Sequence, residues 1–267
     1  MQDFSEYLDF SKDLAVNAGK ILSKYFGNIN SIKQKSTRID LVTNADIECE
    51  NFIVKSIQNK YPDHIIIAEE STLPEKNSDF KWIIDPLDGT TNFVHNLPIF
   101  AVSIGLQYKS KTVIGVVYNP AANKLFSAKL NGGAFLNDNT IKPSSSNTLS
   151  DSLIVTGFPY LHDKRWDLSF DIFKDFYTHS QGVRRLGAAA LDLCFVAMGR
   201  FEIFYEFNLK PWDICAGALI AEESGGKVTD WDGSNYPDSG QRILATNGHI
   251  HNEALSLLSK HNLNIYF

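Results

Sequence analysis

The chain has 267 residues, which is long enough for one large domain or two small ones with a full hydrophobic core. Its hydrophobic fraction of 43% and charged fraction of 21% are ordinary for a soluble globular protein. The formal net charge of −6 argues against a broad nucleic-acid-binding surface, which would favour basic residues.

The first half of the chain predicts two helices followed by several short strands. Apolar residues recur at helical spacing from Phe4 to Tyr25, and Gly27 ends this pattern. A second helix is expected after Asp46 and before Pro62. The apolar runs that predict strands are residues 65–68, 82–84, 100–106, 113–118 and 125–128. Because only turns separate several of these runs, we expect a largely antiparallel sheet.

The second half of the chain mixes strands with helices. Strands are predicted at 153–155, 182–184, 203–206, around 228 and at 243–245. Helices are predicted at 168–176, 188–198, 212–223 and 253–258. No stretch has the composition of a linker, so residues 1–267 are interpreted as a single layered domain of the α/β (α+β) class. The serine-rich segment 143–151 is the candidate seam between two packed halves.

The cysteines and the termini indicate where the protein works. Cys49, Cys194 and Cys215 are odd in number and form no C-x-x-C pattern, so neither a disulfide scaffold nor a thiolate metal site is expected. Acidic residues interrupt the N-terminal apolar stretch, and no apolar run approaches the roughly 20 residues that cross a bilayer. We therefore expect a cytoplasmic protein with reduced, buried cysteines and no membrane association.

The acidic residues considered as a candidate site occur in four short segments, each next to the predicted end of a strand or helix. These segments are 40–46 before the second helix, 68–71 after a strand, 82–92 after the next strand, and 211–213 at the start of a helix.

The segment 82–92 is expected to bring two carboxylates together. Residues 82–84 form a buried strand that ends at Asp85, and Pro86 then forces a turn because it fixes its own φ and lacks an N–H. Asp88 returns to the same side, so both carboxylates converge with the carbonyl of Leu87 between them.

The residues after Asp88 are expected to bind an anion. Gly89 permits backbone geometry that other residues resist. Thr90, Thr91 and Asn92 form the first turn of a short helix, whose free N–H groups would face whatever the carboxylates hold.

Each acidic segment also has a simpler structural explanation. Asp-Pro-x-Asp-Gly is a good turn sequence, and the Glu69–Glu70 pair could be an exposed acidic turn. Asp213 could be stabilised by the dipole of its helix, and Asp46 could be a helix N-cap. The combination of all four segments, rather than any one of them, favours a functional site.

If these acids converge, they need a cation. Two carboxylates about 4 Å apart repel by roughly 4 kcal/mol at an effective dielectric constant of 20. All candidate ligands are oxygens, which favours Mg²⁺, Mn²⁺ or Ca²⁺ over zinc. A cation beside an anion site indicates phosphoryl chemistry.

Two other polar clusters are interpreted as surface features. Glu222 and Glu223 lie about 14 Å from Asp213 along one helix, too far to share a metal, and are expected to be a solvated helix end. His249 and His251 are expected to be surface histidines.

The motifs of the chain resemble a known family. Trp82-Ile83-Ile84-Asp85-Pro86-Leu87-Asp88-Gly89-Thr90-Thr91-Asn92-Phe93 and Pro211-Trp212-Asp213-Ile214-Cys215-Ala216-Gly217 resemble the two signature motifs of the inositol monophosphatase family, most closely its bacterial-type members. Residues 40–46, 69–70, 156–159 and 185–192 resemble further family segments in the same order. The resemblance covers essentially the whole chain. One departure is Ala68, where many relatives have glycine.

The resemblance implies a fold, an activity and a cofactor. The fold would be an αβαβα five-layer sandwich, usually in a homodimer. The activity would be a lithium-sensitive phosphatase that uses two to three Mg²⁺ ions per active site, with Mn²⁺ as a substitute.

The resemblance also implies roles for individual residues. One metal would be held by Glu69, Asp85 and the carbonyl of Leu87, a second by Asp85, Asp88 and Asp213, and a third, looser ion by Glu69. The attacking water would be positioned by Glu70, Asp46 and Thr90. The phosphate would be bound by Gly89, Thr90 and Thr91, and the hydroxyl-bearing ring by Gly187, Ala189 and Glu206, with Asp213 near the ester oxygen. Lys35 resembles the flexible-loop lysine of the family.

The substrate is the least determined part of the hypothesis. Related enzymes hydrolyse inositol phosphates, fructose 1,6-bisphosphate, histidinol phosphate, NADP or 3′-phosphoadenosine 5′-phosphate. Specificity is expected in the loop with His162, Lys164 and Arg165, at residues 184–185, and around Glu206. A carboxylate at Glu206 accepts hydroxyl protons but repels a second phosphate, which favours inositol monophosphate.

A different class of function remains open. The same fold could serve as a regulatory binding protein that acts through a partner such as the transcription machinery. The intact acidic set argues against lost chemistry, and no sequence feature by itself supports contact with nucleic acid or with that machinery.

Overall fold

The computed structural model describes residues 3–28, 32–34, 41–71, 73, 76–159, 163–236, 242–261 and 263. Within them the helices are α1 (Ser5–Tyr25), α2 (Asn44–Lys60), α3 (Thr90–Val94), α4 (Lys164–His179), α5 (Ala189–Ala197), α6 (Pro211–Glu223) and α7 (His251–Leu258). The strands are β1 (Ile32–Gln34), β2 (Leu41–Thr43), β3 (Ile65–Ala68), β4 (Phe80–Asp88), β5 (Ala101–Tyr108), β6 (Lys111–Asn119), β7 (Lys124–Lys129), β8 (Ala134–Leu136), β9 (Asn139–Thr140), β10 (Leu153–Thr156), β11 (Gly182–Arg184), β12 (Ile203–Phe207), β13 (Lys227–Thr229) and β14 (Arg242–Thr246). Every predicted helix and strand is present, with boundaries shifted by a few residues.

A seven-stranded sheet contains β3 and β4, the two strands whose ends carry the acidic segments 68–71 and 82–92. Its order is β3-β4-β5-β6-β7-β8-β9, and every neighbouring pair except β3–β4 is antiparallel. The expectation of a largely antiparallel sheet is therefore confirmed. From β5 to β9 the strands are joined by short turns, which suit antiparallel hairpins, whereas the longer connection from β4 to β5 carries α3.

A five-stranded sheet is formed by the later strands, in the order β11-β10-β12-β14-β13. Strand β10 runs parallel to both of its neighbours, and β14 runs antiparallel to β12 and β13. The chain changes sheets between Thr140 and Leu153. The single domain and its seam at residues 143–151 both stay predictions.

The helices form three layers around the two sheets. Helices α1 and α2 cover one face of the seven-stranded sheet, while α5 and α6 cover its other face. Helices α5 and α6 also contact the five-stranded sheet, whose far face is covered by α4 and α7. This is the αβαβα five-layer sandwich that the resemblance implies.

Helix α6 fits between two sheets because its middle part is apolar on all sides and rich in alanine and glycine. It is buried from Ile214 to Ala221. Two strand glycines allow a close approach: a Cβ on Gly115 of β6 would lie 2.5 Å from the carbonyl oxygen of Ala216, and one on Gly105 of β5 would lie 2.5 Å from Sγ of Cys215. Although α6 is apolar, none of the described helices is long and apolar enough to cross a membrane.

Two expectations about surface clusters are wrong in part: Glu222 and His249 are exposed as expected, but Glu223 and His251 have partners within the fold. Glu223 accepts hydrogen bonds from three consecutive backbone N–H groups of the β7–β8 turn, those of residues 131, 132 and 133, at 2.7, 3.1 and 2.9 Å. His251 is buried, with one ring nitrogen 3.0 Å from Oγ1 of Thr229 and the other 3.0 Å from Oγ1 of Thr246. Both side chains therefore stabilise tertiary structure. The cysteines Cys49, Cys194 and Cys215 are free and buried, as expected.

Candidate active site

Asp85 and Asp88 reach the same cavity because β4 contains a bulge between them. Asp85 pairs with Ser103 of β5 and Asp88 pairs with Ala101, so one extra residue of β4 lies between the two pairs. On a regular strand, side chains three positions apart point to opposite faces, and the extra residue removes this alternation. The sequence predicted a turn here, but the strand continues as far as Asp88. Asp85 Oδ1 also accepts the N–H of Leu87 at 2.9 Å.

Gly89 follows the bulge in the left-handed region of backbone conformation, with φ +88°. A Cβ at this position would lie 2.8 Å from the carbonyl oxygen of Ile99 and 3.2 Å from Cβ of Ala188. Both the conformation and the contacts therefore require glycine. The backbone at Gly89 can consequently lie close to the start of α5.

Thr90 connects the start of α3 to α2. Its Oγ1 lies 3.0 Å from the carbonyl oxygen of Leu87 and 3.2 Å from Oδ1 of Asp46. The second carboxylate oxygen of Asp46 accepts hydrogen bonds from the N–H and Oγ1 of Thr43, at 2.8 and 2.6 Å, in a capping box that begins α2. Asp46 is fully buried. One carboxylate thus caps a helix and also contacts the candidate catalytic threonine.

Two helix N-termini place further acids at the cavity. Asp213 lies in the first turn of α6, after Pro211, and its Oδ2 accepts the N–H of Lys210 at 2.7 Å. Asp88 Oδ2 accepts the N–H of Ala190, in the first turn of α5, at 2.9 Å. The positive ends of the two helix dipoles favour negative charge at both carboxylates.

A cavity of about 380 Å³ brings together most of the predicted site residues. Its lining includes Glu69, Asp85, Leu87, Asp88, Gly89, Thr90, Gly187, Ala189, Glu206 and Asp213. Among the described residues, Glu70, Asp46 and Thr91 lie next to this lining without being part of it. Asp46 is linked to it through the hydroxyl of Thr90.

Mutual repulsion and burial favour the neutral form of two of these carboxyl groups. Burial, followed by repulsion from Glu69, raises the pKa of Asp85 well above its ordinary value. The same two causes, in the same order, raise the pKa of Asp213. Glu69 also shares a hydrogen bond with Asp85, which adds to the effect. These groups can ionise together only if a positive charge joins them.

Burial also raises the pKa of Asp88 and of Glu206, but a neighbouring group partly opposes the rise in each case. Burial raises the pKa of Asp88 to about 7, and the N–H of Ala190 opposes this rise. Burial raises the pKa of Glu206 to about 8, and the positive charge of Arg185 opposes it. The cavity therefore holds more acid than its own cations compensate.

A divalent cation fits this donor set. The donors are carboxylate and carbonyl oxygens, which hard cations prefer. The raised pKa values of Asp85 and Asp213 show that burial and mutual repulsion disfavour their ionised forms. In the described ranges, however, no three or more Asp, Glu, His or Cys side chains meet at metal-ligand spacing. The assignment of each acid to a particular metal accordingly stays a prediction.

The structure adds lining residues to which the sequence analysis gave no role. The segment from Phe207 to Lys210 and Trp212 line the cavity between β12 and α6, next to Asp213. Gly157 lets the carboxylate of Glu206 approach the backbone, since a Cβ there would lie 2.1 Å from Oε1. For residues 207–210, their position just before the start of α6, which carries Asp213, could have indicated a place in the cavity.

The predicted specificity residues separate into three groups. Arg185 lines the cavity, whereas Arg184 donates to the carbonyl of Val183 and is outside the lining. Arg165 pairs with Asp163, with Nε 2.9 Å from Oδ2. The third group, His162 and the side chain of Lys164, lies outside the described residues, as do the predicted loop lysine Lys35 and Asp40 of the first acidic segment.

Comparison with known proteins identifies relatives over the full length of the chain. The model of the inositol monophosphatase family matches residues 3–263. An inositol-1-monophosphatase of Synechocystis sp. is 43% identical over 259 residues, which cover 96% of this chain and 90% of that protein. A putative Nus factor SuhB of Neisseria meningitidis serogroup B is 42% identical over 258 residues, with 96% and 98% covered.

A solved structure supports the same fold. The extragenic suppressor protein SuhB of Bartonella henselae superposes with a TM-score of 0.91 at 37% identity, covering 96% of this chain and 99% of the other.

Proposed function

Because the chain belongs to the inositol monophosphatase family, we propose that this phosphatase hydrolyses myo-inositol monophosphate to inositol and phosphate with Mg²⁺. The family is metal-dependent and acts on small phosphate esters. The observation that carries the proposal is the single cavity lined by Glu69, Asp85, Asp88 and Asp213 together with Gly89 and Thr90 at the start of α3.

Each part of the cavity has a task in this proposal. The metal would be held by Glu69, Asp85, Asp88, Asp213 and the carbonyl of Leu87. When bound, Mg²⁺ supplies the positive charge and Lewis acidity that phosphate-ester hydrolysis needs. The phosphate would be bound through the backbone and hydroxyl groups of Gly89, Thr90 and Thr91.

The attacking water would be oriented by the polar groups between α2 and α3. Thr90 Oγ1 contacts Asp46, which is held in turn by Thr43, so the hydroxyl has a fixed orientation. Glu70 follows β3 and would accept the proton of the water. A general base must lie within hydrogen-bond reach of the proton that it removes.

The substrate end of the cavity favours a polyol. Gly187 and Ala189 leave space at the start of α5, and Glu206 offers a carboxylate that hydroxyl groups can donate to. Arg185 lies beside it and limits the negative charge. A ring with several hydroxyl groups suits this end of the cavity, because hydroxyl groups can bond to Glu206 whether it is ionised or protonated. Lithium inhibition, a homodimer and a cytoplasmic location, which the resemblance implies, belong to the same proposal.

A panel of phosphate esters tests the proposed substrate. Phosphate release from inositol, sugar, histidinol and nucleotide phosphates is measured with Mg²⁺, with a chelator, and with added lithium. We expect the highest kcat/KM for inositol monophosphate, no release with the chelator, and inhibition by lithium. A preference for another ester would contradict the substrate, and no release from any ester would contradict the function.

The relatives named Nus factor SuhB favour a second candidate function, namely binding to the transcription machinery. This is tested by capture from lysate with the wild-type protein and with Asp88→Asn. If both proteins capture the same transcription components, a binding role exists beside catalysis. If neither does, the second candidate is wrong.

A further inference from the structure

Glu50 lies on α2 one turn beyond Asp46, and no sequence motif singles it out. Residues four positions apart share one face of a helix. Asp46 is fully buried, and Glu50 is 4% exposed. Helix α2 therefore directs two buried carboxyl groups to one side, and Asp46 is already engaged by Thr43 and Thr90.

The hydrogen-bond partner of Glu50 is the backbone of Glu70, the residue proposed to accept the proton of the attacking water. Oε2 of Glu50 accepts the N–H of Glu70 at 2.8 Å. A buried carboxylate is costly unless it is hydrogen-bonded, and a hydrogen bond to a charged acceptor is stronger than a neutral one. The bond joins residues 20 positions apart, so only the tertiary structure creates it.

The hydrogen bond from Glu70 to Glu50 lies just beyond the last residue of β3 that pairs with β4. Strand β3 lies at the edge of the seven-stranded sheet, and its pairing with β4 ends at Ala68. Glu69 and Glu70 follow directly, beyond the last paired residue. Glu50 thus holds the backbone two residues after the ladder ends.

We propose that Glu50 is a positioning residue that fixes the backbone of Glu69 and Glu70. This inference rests on the proposed function, in which Glu69 contacts the metal and Glu70 the attacking water. Helix α2 would then support the water-positioning groups twice, through Asp46 at Thr90 and through Glu50 at Glu70. A catalytic group must be held to within about 0.5 Å, and a rigid helix provides that precision better than a loop.

Three substitutions separate the reach of the side chain from its charge. Glu50→Gln keeps the length and a carbonyl acceptor but removes the charge. Glu50→Asp keeps the charge but is one methylene too short, and Glu50→Leu removes the acceptor. We expect Glu50→Gln to stay near the wild-type kcat, and the other two to lose about 10- to 100-fold, as for other residues that support metal ligands. In Glu50→Asp and Glu50→Leu the Mg²⁺ concentration for half-maximal activity should also rise. The KM for the ester should change less than kcat does.

Two measurements test the inference without turnover. Hydrogen exchange at the amide of Glu70 should be faster in Glu50→Asp and Glu50→Leu than in the wild type. Calorimetric titration with Mg²⁺, without substrate, should show weaker binding to the same two variants. Glu48→Asp and Glu48→Gln are the matched controls, because Glu48 is an exposed glutamate on the same helix, and they should change none of these values.

Equal kcat and equal Mg²⁺ binding in Glu50→Asp, Glu50→Gln and the wild type would overturn the inference, as would unchanged amide exchange at Glu70 in Glu50→Asp. If Glu50→Leu does not fold, the aspartate and glutamine variants decide. A wild-type protein that hydrolyses no ester would refute the proposed function. In that case, hydrogen exchange at the amide of Glu70 and Mg²⁺ titration of the Glu50 variants would still test whether Glu50 positions the backbone.

Discussion

Replacing Asp88 by asparagine is expected to abolish phosphate release while leaving the fold intact. The amide oxygen of the new side chain can still accept the N–H of Ala190 that Asp88 accepts at 2.9 Å. The negative charge, however, is lost from the set of acids proposed to hold the metal. We expect kcat/KM to fall by more than about 100-fold, because even residues that only support metal ligands contribute about 10- to 100-fold.

The measurement is phosphate release at saturating Mg²⁺, together with circular dichroism and thermal unfolding of the same samples. Asp213→Asn should behave alike, since its amide oxygen can keep the contact with the N–H of Lys210. Asp9→Asn is the control, because Asp9 is an exposed acid on α1 and should retain full activity. Wild-type rates in Asp88→Asn would contradict the proposed metal set.

Metal binding is expected to stabilise the protein more at about pH 8 than at about pH 5. Burial raises the pKa of Asp88 to about 7 in the folded protein, against an ordinary value of 3.8. Between these two values the folded state binds more protons than the unfolded state, so the stability of the metal-free protein falls as the pH rises.

A bound divalent cation would offset this loss at high pH, because its positive charge would stabilise the ionised carboxylates. At low pH the carboxyl groups are protonated, and binding must first release protons. The test is thermal unfolding with Mg²⁺ and with a chelator at both pH values. We expect a larger rise in Tm at the higher pH, and a smaller difference between the two pH values in Asp88→Asn. An equal rise at both pH values would show that the acids do not face the metal.

The order of the helices and strands could be predicted from local patterns. Apolar spacing identified α1 and the later helices, and short apolar runs identified the strands, because burial of one face imposes its period on the sequence. The donor chemistry of the candidate site could also be read from the sequence. The motifs around Asp85 and Asp213 contain only oxygen donors, and this composition does not depend on the fold.

The direction of individual side chains depended on the tertiary structure. The bulge in β4 was predicted as a turn, since Asp-Pro-x-Asp-Gly suits both, and only the pairing with β5 distinguishes them. Glu223 and His251 were predicted to face solvent because their partners lie far away in sequence. A hydrogen bond between distant residues leaves no local pattern.

The sequence by itself determined which groups are available to this protein: a set of carboxylates, a glycine–threonine helix start and the elements that carry them. Only the tertiary structure decided which of those groups meet, as the contact between Glu50 and the N–H of Glu70 illustrates. The physical reason is that periodicity records whether a residue is buried, whereas the identity of its neighbour is set by how separate elements pack.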